Sequence, residues 1–140
     1  MPLSRMFRKE TIIRIFRIEN PETMCGMWYD RDGNPRPLIK TLTEGISAHL
    51  PMEPHPRYGK NGRRWYSGCA DFSSMRQWFS DRDALELHER GYRLFSFESV
   101  EYEVEENQVL FTREGVLRQE ELKMSTIFPI LLDQAPLVKV

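Results

Sequence analysis

The chain has few of the residues that mark a metalloprotein, a disulfide-rich scaffold or a membrane protein. Its two cysteines, Cys25 and Cys69, lie far apart and at no metal-ligand spacing, so we expect two free thiols in a reducing cytosol. The three histidines have no cysteine or histidine at ligand spacing, which predicts no metal site. No signal-peptide core follows the basic N-terminus, and the apolar run at residues 127–132 is too short to cross a bilayer. We therefore expect a cytoplasmic protein without membrane attachment.

Net charge is also nearly absent, since the formal value is −1. Such a balance gives no broad electrostatic preference for nucleic acid. The charges are nevertheless unevenly placed: residues 57–64 contain four cations and no acid, and residues 98–106 contain five acids and no cation. Local charge is therefore more informative than net charge.

Strand patterns lie near both ends of the chain. Residues 11–19 form an apolar run that stops just before a proline, and residues 92–97 form another. In residues 100–104, valine and tyrosine alternate with glutamate, so one face is expected to be apolar and the other acidic. Residues 108–112 are expected to pair back on them as a hairpin. Residues 116–124 fit either a strand or a short helix.

Helix patterns fall between these strands. Apolar residues at every fourth position over residues 38–50 predict an amphipathic helix. Capping patterns at Ser74 and Ser80 predict two further short helices, or one bent helix, ending before Gly91. The chain is therefore expected to form a single α+β domain over residues 1–140. Its sheet would be mixed or antiparallel, with strands from both ends and two or three short helices between them.

Two segments are expected to be irregular. Residues 51–64 are expected to form a long loop that is first rich in proline and then basic. Tyr66 follows this loop, and its ring is expected to contact a nucleotide cofactor. Because cations position phosphates and rings stack bases, this loop is either a contact for nucleic acid or another partner, or a solvated surface. Its cations are Arg57, Lys60, Arg63 and Arg64. The apolar C-terminal tail, residues 125–140, is expected to pack over the core or on a partner.

Two arginines, Arg14 and Arg17, stand inside the apolar first strand and point to opposite faces of it. Both faces are otherwise mostly apolar, which predicts a strand covered on both sides. A buried guanidinium needs an anionic or carbonyl partner. Arg14, in mid-strand, is expected to pair with a glutamate of the acidic strand, residues 101–105. Arg17, near the strand end, is the candidate for holding a ligand phosphate or carboxylate.

Glu101 and Glu103 form a Glu-x-Glu pair whose side chains would share one face of a strand. Two close carboxylates push their pKa values apart, which suits acid–base chemistry or the binding of a ribose. The alternative is the solvent-exposed face of an antiparallel sheet, or a protected sheet edge. Cys69 would be a nucleophile only if the fold brought a base to it, and a buried structural cysteine is the alternative.

Three spaced elements make the chain resemble the ADP-ribosyltransferase superfamily. They are the strand arginine Arg17, a serine motif at Asp71-Phe72-Ser73-Ser74, and the Glu-x-Glu motif at Glu101-Tyr102-Glu103. The resemblance implies that Arg17 contacts NAD and that Ser73 supports its nicotinamide ribose. It also implies that Glu103 is the catalytic carboxylate and that Glu101 orients the acceptor.

Two further segments, residues 16–23 and 75–92, resemble small phage and prophage proteins. The leading hypothesis is a phage-type accessory protein with an NAD-binding, ADP-ribosyltransferase-like cleft that modifies a host target. The first alternative is a non-catalytic module that binds a host protein, in which the pairing of arginine with glutamate is structural. A third hypothesis is a weak nucleic-acid contact through the basic aromatic loop.

Overall fold

A computed structural model describes residues 8–26, 64–106 and 108–134, and antiparallel strands are its main elements. In chain order the strands and helices are β1 (Arg8–Glu19), β2 (Trp65–Gly68), α1 (Phe72–Trp78), α2 (Asp81–Glu89), β3 (Arg93–Val104), β4 (Val109–Thr112) and β5 (Val116–Leu122). Two short 3₁₀ helices follow, Met124–Thr126 and Pro129–Gln134.

The five strands form one antiparallel sheet with β3 at its centre, in the order β1-β3-β4-β2 with β5 also on β3. The first part of β3 pairs with β1 on one side and β5 on the other, and residues 102–104 pair with β4. The register of β5 shifts near Ser99, and such irregularities increase local twist. The sheet curls into a half-barrel, and β1 meets the end of β2 through paired backbone bonds of 2.8 Å between Phe16 and Cys69.

The prediction of an α+β fold was wrong, because the fold is mainly β. β3 continues without a break through residues 93–104, where two separate strands were expected. Residues 116–122 form a strand rather than a helix, and every strand pairing among the described residues is antiparallel. The helix predicted over residues 38–50 lies outside the described residues, as do residues 51–63 of the predicted loop and residues 135–140 of the tail.

Two apolar cores lie on the two sides of the sheet. On one face, Ile15, Tyr66, Phe97 and Phe111 from four strands form what we call the inner core. The outer core lies on the other face, where α1, α2 and the 3₁₀ helices cover the side chain of Phe16 and its neighbours on β1. Adjacent residues of β1 are thus buried in opposite directions, which confirms the prediction of a first strand covered on both sides.

The two helices begin at clear capping residues. Asp71 caps α1 and accepts a bond from the backbone N–H of Ser74 at 2.8 Å, so the cap lies three residues before the predicted one. This backbone bond, and the side-chain bond of Ser74, lower the pKa of the Asp71 carboxyl. In α2 the predicted capping box of Ser80 and Asp83 is confirmed, and Gly91 follows the helix with a φ of 93°. Neither helix, nor any other in the described ranges, is long and apolar enough to span a membrane.

A glycine allows the turn between β4 and β5 to pack directly on β3. A Cβ atom at Gly115 would stand 2.9 Å from the backbone nitrogen of Glu101, and closer still to the Glu101 Cβ. We expect Gly115→Ala to lower the free energy of unfolding by about 1–3 kcal/mol, because backbone cannot move aside as a flexible side chain can. Urea denaturation measures this change. Glu114→Ala, at the exposed neighbour, is expected to stay within about 0.5 kcal/mol, and equal stability of the two variants would contradict the prediction.

Candidate functional site

The side chain of Arg17 connects three separate segments of the chain. Its Nε donates to Glu19 Oε1 at 2.7 Å, one terminal nitrogen donates to the carbonyl of Ser67 at 2.8 Å, and the other donates to the carbonyl of Met24 at 3.0 Å. These bonds link the end of β1 to β2 and to the turn after β1. The partners that a buried guanidinium needs are therefore a carboxylate of the same strand and two carbonyls.

Glu19 is the acceptor for a second arginine. Its side chain is almost fully buried, and its Oε1 accepts bonds from both Arg17 and Arg113, which lies just after β4. Arg113 is mostly buried as well, with one fifth of its side chain exposed. One carboxylate thus holds two guanidinium groups, and the local charge of this triad is positive.

Three guanidinium groups lie close to the ring of Tyr66. The guanidinium carbons of Arg17, Arg64 and Arg113 lie 5.2, 5.5 and 4.6 Å from the centre of this ring. Arg113 also lies 4.6 Å from the ring centre of Phe97, in the inner core. These distances are within the range of favourable cation–π contact. We call Arg17, Arg64 and Arg113, together with Glu19 and Tyr66, the arginine cluster.

Arg113 has hydrogen-bonding capacity that its contact with Glu19 does not use. Its Nε is buried and has no hydrogen-bond partner among the described residues. Its hydrogen bond to Glu19 uses one terminal nitrogen, and a guanidinium carries five N–H groups. A buried donor without a partner is costly, and a phosphate or carboxylate is the acceptor that a guanidinium fork fits best.

The predicted carboxylate pair lies elsewhere. Glu101 is almost fully buried and accepts a bond from the Thr112 hydroxyl, so the expected exposed acidic face is not formed there. Tyr66, Phe111 and Tyr102 are in register and share one face of the sheet. Glu103 follows Tyr102 directly and therefore points to the opposite face. Because the guanidinium of Arg17 lies against Tyr66, Arg17 and Glu103 do not share a cleft.

Ser73 is also separated from Arg17. It lies exposed in the first turn of α1, and the buried residues of that helix, Met75 and Trp78, pack in the outer core. Arg17 points to the inner side of the sheet, as does Ile15 two positions before it. The three elements of the ADP-ribosyltransferase resemblance are thus distributed over both sides of the sheet.

The partner predicted for Arg14 was wrong. The register places Glu98 opposite Arg14, and the Arg14 guanidinium donates to the Ser96 hydroxyl at 3.4 Å and lies 5.1 Å from the ring centre of Phe16. Of the predicted loop contacts, Arg64 joins the arginine cluster together with Tyr66. The other three cations, Arg57, Lys60 and Arg63, lie outside the described residues.

Comparison with known proteins gives the family. A family model described as bacteriophage T4 Y00F protein matches residues 7–125, which include all five strands, both helices and the whole arginine cluster. The chain belongs to this family. Searches of the curated proteins and of the solved structures found no match. The predicted relation to phage proteins is thereby confirmed.

In this Y00F-family protein, loss of the shared carboxylate should be costly. Glu19→Gln removes the anion that Arg17 and Arg113 share, and it leaves two mostly buried guanidinium groups without a counter-charge. We expect the free energy of unfolding to fall by about 3–5 kcal/mol, as for other broken buried ion pairs. Chemical denaturation followed by circular dichroism measures the loss. Glu22→Gln, an exposed change in the next turn, is the matched control, and a similar small effect of both variants would refute a structural role for Glu19.

In the same Y00F-family protein, the fold is expected to shield the cysteine thiols from alkylation. Cys25 and Cys69 are buried and free. Burial, and to a smaller extent the Asp71 carboxylate, raises the pKa of the Cys69 thiol far above its usual range. We therefore expect no alkylation of Cys69 by iodoacetamide at about pH 8 in the folded protein, and full alkylation in urea. Mass spectrometry detects the adduct, and rapid native labelling would show that the thiol is an accessible nucleophile.

Proposed function

We propose that this phage protein binds a phosphate-bearing ligand of the nucleotide class at the arginine cluster. One observation carries the proposal: Arg17 and Arg113 lie within 5.2 Å of the Tyr66 ring centre and share the single carboxylate of Glu19, and the buried Nε of Arg113 has no hydrogen-bond partner among the described residues. An anion that balances this excess charge would be held by charge-assisted hydrogen bonds, which are stronger than neutral ones.

The surroundings of the cluster suit such a ligand. The guanidinium of Arg113 also lies 4.6 Å from the ring centre of Phe97 and 5.9 Å from that of Phe111, so aromatic rings pack against it. In a setting that excludes water, charge interactions are stronger than at an open surface. Phosphate oxygens fit the guanidinium donors.

Binding without transfer of ADP-ribose is the activity that we infer from this placement. A transferase would need Glu103 next to the ligand in order to stabilise the developing positive charge, whereas Glu103 points away from the face that holds Arg17. NAD would therefore bind through its pyrophosphate and leave unchanged. The second candidate ligand is a host protein that presents carboxylates to the same arginines. In this alternative, the bonds of Arg17 to Glu19 and to two carbonyls are structural.

Calorimetry with inorganic pyrophosphate, ADP and NAD tests the proposal. We expect binding by the wild type, and at least about tenfold weaker binding by Arg113→Gln, because a hydrogen bond to a charged group contributes about 1.5–3 kcal/mol. Arg90→Gln is the control, since Arg90 is an exposed arginine at the end of α2. No binding of any of the three probes at millimolar concentration, or equal binding by both variants, would overturn the proposal.

A second arginine variant and a competing ligand complete the binding test. If Arg113→Gln fails to fold, Arg64→Gln changes another guanidinium at the Tyr66 ring and should weaken the same probes. Single-stranded DNA is the competing ligand for the nucleic-acid hypothesis. DNA binding that is tighter than ADP binding and falls steeply with salt would assign the cluster to nucleic acid instead.

A further inference from the structure

β5 lies at an edge of the described part of the sheet. It pairs with β3 on one side, and no other strand among the described residues pairs with it. The five residues inside its ends, residues 117–121, are all exposed, and Leu117 has 60% of its surface exposed. An edge strand presents unpaired backbone N–H and C=O groups, and these are a template for a further strand.

The charges of β5 are complementary to those of a second β5 that runs in the opposite direction. In a symmetric antiparallel pair of strands, directly opposite side chains point to the same face of the sheet. The two-fold axis therefore lies midway between the two copies of one residue, and we name each axis by that residue. An axis at Gln119 places Arg118 opposite Glu120 of the partner subunit, and this pairing occurs twice. Axes at Arg118 or Glu120 place like charges opposite each other, which is destabilising. Among axes at the three central residues of β5, the charge pattern therefore selects the one at Gln119.

Neither charged side chain is firmly engaged within its own chain. Arg118 lies 4.0 Å from both Glu98 and Glu120, at the limit of an ion pair. The side chains of Arg118 and Glu120 are 66% and 50% exposed. Exposed pairs of this kind contribute little within one chain, so both groups are available to a neighbour.

We propose that β5 pairs with β5 of a second copy of this chain around Gln119, so that two half-barrel sheets become one continuous sheet. The interface consists of the backbone bonds of one seven-residue strand in each copy and two pairs of opposite charges. It is smaller than a standard stable interface of roughly 1,600 Å², so the dimer is expected to depend on protein concentration. The proposal is independent of ligand binding at the arginine cluster.

Sedimentation equilibrium up to about 1 mM protein, a range suited to small interfaces of this class, tests the association. We expect Arg118→Glu to weaken the dimer about tenfold, because both attractive pairs become repulsive. The double variant Arg118→Glu with Glu120→Arg restores opposite charges and should regain the wild-type affinity within about threefold. Arg90→Glu is the matched control on α2. A monomeric wild type over this range, or a double variant as weak as the single one, would overturn the proposal.

A cysteine pair tests the register directly. Gln119→Cys places the two new thiols opposite each other across the axis, at the Cβ separation typical of cross-strand neighbours, so mild oxidation should yield a covalent dimer. Leu117→Cys lies on the same face of β5, but its counterpart would be four residues away along the partner strand. Cross-linking of both variants to the same extent would show that no single register exists, and circular dichroism confirms that each variant is folded.

Discussion

The carboxylate of Glu19 connects distant parts of this structure, because it pairs with two guanidinium groups. Arg17 lies two residues before it on β1, and Arg113 lies beyond the end of β4, so a single buried anion joins the first strand to a distant turn. Arg17 also bonds the carbonyls of Ser67 and Met24, which fixes β2 and the turn after β1 in place. Because a buried charge without a partner is costly, the curl of the sheet depends on this pairing as well as on apolar packing.

The same pairing explains why the inner side of the sheet is suited to an anion. A structural ion pair would need one cation for one anion, whereas Glu19 pairs with two arginines. The structural contacts and the proposed binding thus use the same groups, with Arg17 mostly engaged by backbone carbonyls and the buried Nε of Arg113 without a hydrogen-bond partner among the described residues. Glu103 on β3 points to the other face of the sheet.

Local signals predicted the parts of the fold that depend on neighbouring residues. The first strand, the capping box at Ser80, the glycine after α2 and the hairpin of β3 with β4 are confirmed, because each follows from a short pattern. The partner of Arg14 and the burial of Glu101 were not predictable in this way. Both depend on register and on a turn at Gly115 that packs over β3, and a short pattern contains no information about either.

The amino-acid sequence by itself determined that the first strand is buried on both sides, that a buried Arg17 needs an anionic or carbonyl partner, and that the chain is related to phage proteins. Only the tertiary structure decided which partner Arg17 has and which groups share its site. Arg113 carries no local signal, since it is one charged residue in a turn, and its contact with Glu19 joins residues that are 94 positions apart in the chain. Long-range pairing depends on how strands are aligned in space, whereas periodicity and capping depend on residues that are close in the chain.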